Sequence, residues 1–326
     1  MAVVRGLEMK AIVQIGYGAP ARVLKLEEVD KPAVEAEKVL VRVHATSVNS
    51  GDCRQVIADP IIVRFMGGLR RPKDPKVGGD VAGVVEAVGE GVTHVKPGDE
   101  VFGVRTGAFA EYVSGKFMVA KPAGLSFEEA AAIPVAATTA LQAIRDKGAV
   151  RAGQHVLVNG AGGGVGHFAV QIAKAFGAEV TAVTSTDKVE LVRTLGVDHV
   201  IDYRREDFTK GGRHYDAIID IAGNKSFGAT RRALTPGGML VIVGAHRGVI
   251  RRLIFGTLRR RLLRQRIVFY LAQIKLDDLL TLKEMAEQGQ IRPVIDRTYA
   301  LDDAAEAIEY AARQTVAGKV VLTVAP

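Results

Sequence analysis

The pattern of apolar and polar positions changes rhythm along the chain. In the first third, short valine-rich runs occupy Val39–His44, Val81–Val88, Glu100–Val104 and Phe109–Val113, separated by turn signals such as Lys96-Pro97-Gly98-Asp99. Short strands at this spacing predict an antiparallel, barrel-like domain. Near Ser126 the pattern breaks. Ser126 with Glu129 is a capping-box pair opening an alanine-rich helix. From His155 apolar runs alternate with amphipathic ones. Strands are predicted at His155–Asn159, Glu179–Thr184, His199–Tyr203, Asp216–Ile221 and Met239–Ala245. Helices are predicted at Val165–Phe176, Lys188–Leu195 and Ser226–Leu234. Such alternation implies a doubly wound parallel sheet. The last fifty residues carry two helical patterns, Asp278–Gln288 and Asp303–Arg313, then a valine-rich strand, Lys319–Val324.

Composition narrows the class. The 326 residues suffice for two domains, and 48% apolar with 25% charged residues is the mix of a globular protein. A single cysteine, Cys53, excludes an internal disulfide framework and a cysteine-rich zinc site, and it fits a reducing compartment. No apolar run reaches membrane-span length. Met1–Glu8 lacks the features of a secretory signal, and Met9 is a candidate natural start. A cytoplasmic location is the expectation. The net charge of +8 is local: eight arginines and no acid lie between Arg247 and Arg266, and without them bases and acids balance.

The most specific chemical signal is Asn159-Gly160-Ala161-Gly162-Gly163-Gly164-Val165-Gly166 between a predicted strand and helix. In frame it reads Ala161-x-Gly163-x-x-Gly166, a dinucleotide-binding loop with alanine at the first glycine position. Gly163 lets the backbone approach a pyrophosphate, and Gly166 allows close strand–helix packing. The helix N-terminus, from Gly164 and Val165 onward, supplies amide donors and partial positive charge. NAD enzymes usually place an acid at the end of the next strand, whereas NADP enzymes omit it and add cations. That strand ends Ala182-Val183-Thr184-Ser185, and Asp187 reads as the N-cap of the following helix. Thr184, Ser185, Lys188 and Tyr203, with Arg204 and Arg205 behind, could surround a 2′-phosphate; the alternative is solvated surface charge. NADPH is the expected cofactor.

Further motifs accompany the loop: Ser47-Val48-Asn49-Ser50-Gly51-Asp52, Gly78-Gly79-Asp80-Val81-Ala82-Gly83, Lys96-Pro97-Gly98-Asp99-Glu100-Val101, Val200-Ile201-Asp202-Tyr203 and Gly318-Lys319-Val320-Val321. Together, from Met9 to Val324, the chain resembles the medium-chain dehydrogenase/reductase superfamily, within it the zinc-free quinone oxidoreductases similar to zeta-crystallin. The resemblance implies an α/β fold: a GroES-like β-barrel catalytic domain over 1–125 and 275–326, and a Rossmann doubly wound parallel sheet over 126–274. It also implies a homodimer. Zinc-dependent members carry a catalytic cysteine, a His-Glu pair and a second cysteine; the matching positions here are Asn49, Gly79-Asp80 and the apolar stretch around Val135. Zinc needs three or four imidazole or thiolate-type ligands, so no metal is expected. Without that Lewis acid, the substrate must accept hydride readily, as quinones and α,β-unsaturated carbonyls do.

Site residues follow as expectations from this resemblance. Asn49 faces the nicotinamide and the substrate carbonyl, or is a turn-stabilising amide. Asp52 orders its loop rather than moving a proton, and the proton comes from water. Thr138 or Thr139 lies beside the nicotinamide. Gly223, Gly244 and Ala245 line the cofactor at strand ends, and Lys319 joins the cofactor contacts. Cys53 is a small buried residue or a thiol open to quinone alkylation.

The arginine segment is interleaved with Ile250, Leu253, Ile254, Phe255, Leu258, Leu262 and Leu263, as in a basic amphipathic helix. It reads first as a solvated surface excursion and second as a peripheral contact with an anionic membrane. Nucleic acid is not expected, since no aromatic stacking platform accompanies the arginines. A different functional class also stays open: a low-turnover NADPH-binding redox sensor, or a membrane- or partner-associated protein that works through this segment.

Overall fold

The computed structural model describes residues 7–244, 265–313 and 315–325. The chain forms two units: Met1–Val135 with Ile274–Glu287 and Pro293–Pro326, and Ala136–Gln273 with Gln288–Arg292.

The first unit is built on strands β1 (Glu8–Gln14), β2 (Leu24–Asp30), β3 (Val39–Val48), β4 (Asp80–Val88), β5 (Glu100–Val104), β6 (Tyr112–Gly115) and β7 (Phe117–Ala120). Helices α1 (Pro20–Val23), α2 (Ser50–Ile57), α3 (Ile62–Gly67) and α4 (Phe127–Ala132) accompany them. β1 and β2 form an antiparallel hairpin. The main sheet runs β14-β15-β3-β4-β5-β7, where β14 is Ile295–Ala300 and β15 is Lys319–Thr323, and β6 pairs with β3. β3 is the keel. It pairs with β4, β6 and β15, so nearly every residue is buried, where a half-exposed strand would alternate. Val39, Val41, Val43, Val81, Val101, Val320 and Leu322 join in one core.

Ser126 caps α4 as expected: its hydroxyl accepts the Glu129 N–H, and the Glu129 carboxylate accepts the Ser126 N–H at 2.9 Å. The helix lies on β3 and β4, with Phe127 stacked on His44 at 4.5 Å between ring centroids. This packing moves the boundary expected at 125/126 to 135/136. Gln288–Arg292 joins the second unit because Gln171 Nε2 donates to the Arg292 carbonyl at 2.9 Å and Oε1 accepts the Arg292 N–H at 2.8 Å.

The second unit holds β8 (His155–Asn159), β9 (Glu179–Thr184), β10 (His199–Asp202), β11 (Tyr215–Asp220), β12 (Leu234–Val243) and β13 (Arg266–Tyr270), with helices α5 (Pro134–Leu141), α6 (Gly166–Ala175), α7 (Val189–Arg193) and α8 (Phe227–Arg232). The sheet order β10-β9-β8-β11-β12-β13 is parallel throughout. The chain winds outward from β8 to β10, then returns to β11 beside β8. The switch point therefore lies at the C-terminal ends of β8 and β11, where such sheets bind ligands.

Several expected elements differ in their bounds, β6 among them, which begins at Tyr112 rather than Phe109. β12 begins at Leu234 rather than Met239, because Leu234 pairs with Tyr215 across a register shift. The helix expected over Lys188–Leu195 is a tight turn, Thr186–Lys188, followed by the short α7. Ala245 and the arginine segment up to Arg264 lie outside the described residues.

Candidate active site

In the second unit, the cofactor loop leaves β8 at Asn159. Gly160 turns with φ +99°, and the N–H groups of Gly160 and Ala161 both donate to the Val183 carbonyl of β9. Gly166 opens α6 so close to the loop that a Cβ there would stand 2.0 Å from the Gly160 oxygen. Only glycine fits. His167, fully buried, holds the Gly163 carbonyl with Nδ1 at 3.0 Å, so Nδ1 carries the proton. Among the described residues no side chain caps α6. The His167 N–H donates to the Gly163 carbonyl at 3.1 Å, and the positive end of the helix faces the place a bound anion would take.

The loop's neighbours arrive from other strand ends. A Cβ on Gly162 would lie 2.7 Å from both Lys188 Cδ and Thr184 Oγ1, so these two side chains lie against the loop. Tyr203 is tied to the same strand end by its N–H to the Thr184 carbonyl, 3.0 Å, and is half-exposed. Ser185 is buried at the end of β9. Asp187 is not the expected N-cap. It pairs with Arg204 at 3.1 Å, while Arg205 reaches Asp202 at 3.6 Å. Both arginines are thus engaged by acids.

At the switch point Asn159 Nδ2 donates to Asp220 Oδ1 at 2.8 Å and to Asn224 Oδ1 at 3.0 Å, and the Gly223 N–H reaches Asp220 Oδ1 at 2.9 Å. Sequence reading missed this buried knot. Its one visible signal is a polar residue closing each of two strands directly after three apolar ones. Gly223 and Gly244 turn with φ of +64° and +72°. Thr138 on α5 is fully buried and among the described residues its Oγ1 has no hydrogen-bond partner. Interior hydroxyls are nearly always paired, so this one is an opening for a ligand's polar atom. The glycine cradle and this orphaned hydroxyl both fit a dinucleotide.

The first unit holds a separate cluster of buried polar side chains. Register brings it together. Val320 pairs with Val48, which places Lys319 beside Asn49, and Ala45 pairs with Ala82, which places Ser47 opposite Asp80. Lys319 and Asp80, 2% and 0% exposed, form an ion pair at 3.3 Å. Asp80 Oδ2 also accepts from Ser47 Oγ and from Asn49 Nδ2 at 2.8 Å, and Oδ1 accepts the Val135 N–H at 2.8 Å. Lys319 Nζ donates to Asn49 Oδ1 at 2.6 Å and to the Val48 carbonyl at 3.2 Å. Its three hydrogens meet three acceptors, Asp80 being the third. Lys319, expected among the cofactor contacts, is thus committed inside its own unit, and Asn49, Lys319 and Val135 all bond to Asp80.

Asp52 accepts the Asn49 N–H at 2.7 Å and so orders the start of α2. Burial pushes its carboxyl up to about 7; the nearby Asp80 charge adds to the rise, and the Asn49 N–H and Lys319 oppose it. Cys53 is buried beside the Ile308 carbonyl, and burial pushes its thiol up to about 12. Such a thiol is a poor nucleophile. Among the described residues no group of three or more His, Cys, Asp or Glu could hold a metal ion.

Residues 35–168 match the family model described as the alcohol dehydrogenase GroES-like domain, and residues 195–322 the one described as zinc-binding dehydrogenase. The chain is 33% identical over 335 aligned positions to 2-methylene-furan-3-one reductase of Solanum lycopersicum, covering 97% of this chain and 79% of that one. It is 32% identical over 350 positions to the chloroplastic NADPH-dependent alkenal/one oxidoreductase of Arabidopsis thaliana, with coverages of 97% and 79%. The solved structure of the quinone oxidoreductase from Coxiella burnetii matches with a TM-score of 0.87 at 30% identity, over 98% of this chain and 100% of that one. The chain belongs to the medium-chain dehydrogenase/reductase superfamily, in its zinc-free, quinone-oxidoreductase-like branch, and it is an oxidoreductase.

Proposed function

We propose that this zinc-free member of the superfamily reduces quinones or α,β-unsaturated carbonyls with NADPH. The observation that carries the reading is the setting of Asn49. At the position matched to a metal ligand, the chain has an amide held between an ammonium and a carboxylate. A metal ion stabilises a full alkoxide. A neutral amide N–H offers a weaker interaction, suited to an acceptor whose negative charge spreads into an enolate or a hydroquinone. The family names of the relatives point to the same substrates.

NADPH supplies the hydride. The loop Gly160–Gly166 holds its pyrophosphate, and Lys188, Ser185 and Tyr203 hold the 2′-phosphate, with Thr184 packed against the loop. The absence of an acid at the end of β9 favours NADPH over NADH. Gly223 and Gly244, and Ala245 beyond the described residues, would line the cofactor, and Thr138 would lie beside its nicotinamide. Asn49 Nδ2 has a second hydrogen beyond the one given to Asp80, and this hydrogen is donated to the substrate oxygen. Asp52 holds the Asn49 backbone in place, and the proton is drawn from water.

The test is NADPH oxidation against a panel of quinones and enones. Turnover with one class is the expected result, and tight NADPH binding without turnover on any of them rejects the reading. Two further assignments have simple checks. Among the described residues β13 ends its sheet, and a homodimer that covers its outer edge should sediment as twice the chain mass. The basic segment 247–266 matches an anionic membrane surface in charge, and failure to pellet with anionic liposomes at low salt disposes of that contact.

A further inference from the structure

We propose that Lys319 is a positioning residue for the reduction: its ammonium fixes and polarises the Asn49 amide that donates to the substrate oxygen. This rests on the reading of Asn49 above.

Three features carry it. First, an asparagine amide can face either way, but here chemistry settles its direction. Lys319 can only donate, so it takes Oδ1, and the Asp80 carboxylate can only accept, so it takes Nδ2. If the lysine were neutralised, Asp80 alone would hold the amide through Nδ2, and Oδ1 would lose its cationic partner. Second, a cation on Oδ1 draws electron density from the amide, and in a buried chain of hydrogen bonds this strengthens the Nδ2–H as a donor. The bonds run Lys319 to Asn49 and Asn49 to Asp80, and the backbone of Asn49 is held separately by Asp52.

Third, the lysine is buried and placed by the fold to hold Asn49 and Asp80 together. Its three hydrogens are used, and burying an ammonium and a carboxylate carries a penalty that apolar residues of similar size would avoid. The pair is fixed by strand register rather than by loop conformation, since Lys319 and Asp80 are the first residues of β15 and β4. A positive charge therefore stands beside Asn49 and Asp80, two of the positions matched to metal ligands in zinc-dependent members, and the Val135 N–H of the third donates to the same carboxylate. It acts on the substrate only through the amide.

The test is Lys319→Met, close in length and uncharged. We expect kcat with a quinone or enone to fall about 100-fold, the scale of losing one preorganised donor. The NADPH dissociation constant should change less than about threefold, since no cofactor contact is removed. A purely structural lysine would lower the melting temperature without this split, and a variant with wild-type kcat overturns the proposal. A second measurement needs neither turnover nor the variant. In wild-type protein labelled with 15N-asparagine, the Asn49 side-chain NH2 should exchange slowly with water and shift away from the other asparagines. Exchange as fast as a surface amide overturns the proposal even if the variant fails to fold. If the wild type turns over no substrate while the Asn49 amide is protected, the proposed substrates fail and the positioning of Asn49 stands.

Discussion

The cofactor loop and the Lys319 cluster both organise charge away from bulk water, by opposite means. The loop is backbone: a few consecutive residues whose value lies in having no side chains, so that amides and a helix end face a ligand. The cluster is mainly side chain, drawn from β3, the cap of α2, β4, the first turn of α5 and β15, with Asn49 and Lys319 separated by 270 residues. An added methyl group should break the first and a removed charge the second.

The largest expected effect is Asp80→Leu. It strands the buried Lys319 ammonium, and breaking such a pair costs about 3–5 kcal/mol, read as a lower urea midpoint. An unchanged midpoint would mean that the pair does not organise the unit. Gly166→Ala comes next. Its Cβ would meet the Gly160 oxygen, and overpacking of this kind costs about 1–3 kcal/mol. NADPH affinity should fall more than about tenfold, measured by quenching or transfer of cofactor fluorescence.

Asp52 allows a pH test. Its carboxyl sits at about 7 when folded, against an ordinary 3.8. Between those values the folded state holds the extra proton, so its stability falls as pH rises from about 4 to about 7. Asp52→Asn keeps an acceptor for the Asn49 N–H and removes the titration. It should melt higher than the wild type at pH 8 and equally near pH 4; a constant difference across that range would reject the assignment. Lys188→Ala probes the loop's specificity, with NADPH expected to weaken about tenfold, near 1.4 kcal/mol, and NADH to be spared. Equal loss of both would remove the lysine from the phosphate site. The smallest effect belongs to Asp187→Ala. The pair with Arg204 is exposed and screened by solvent, so melting should barely move, while NADPH affinity rises slightly as Arg204 is released.

What could be read in advance follows the same division. The Ser126–Glu129 capping box, the α6 helix with Gly177 beyond its end, and the strands β8 and β9 are local patterns, and each was legible in its own residues. Asn49 and Asp52 drew notice through a motif, but their partners did not. Lys319 read as one cation of a terminal motif, because nothing within fifty residues of it reveals Asp80 or Asn49. Asp187 looked like a helix cap until Arg204, on the next strand's exit, claimed it. The Asn159–Asp220 knot was invisible for the same reason.

The sequence by itself determined the periodicities, the turns and the glycine loop, because helix capping, strand alternation and glycine's freedom act over a few residues. The tertiary structure alone decided which charges meet. Strand register sets Lys319 beside Asn49 and Ser47 opposite Asp80, and register is chosen by the collective burial of Val39, Val41, Val81, Val320 and Leu322 rather than by the polar residues it brings together.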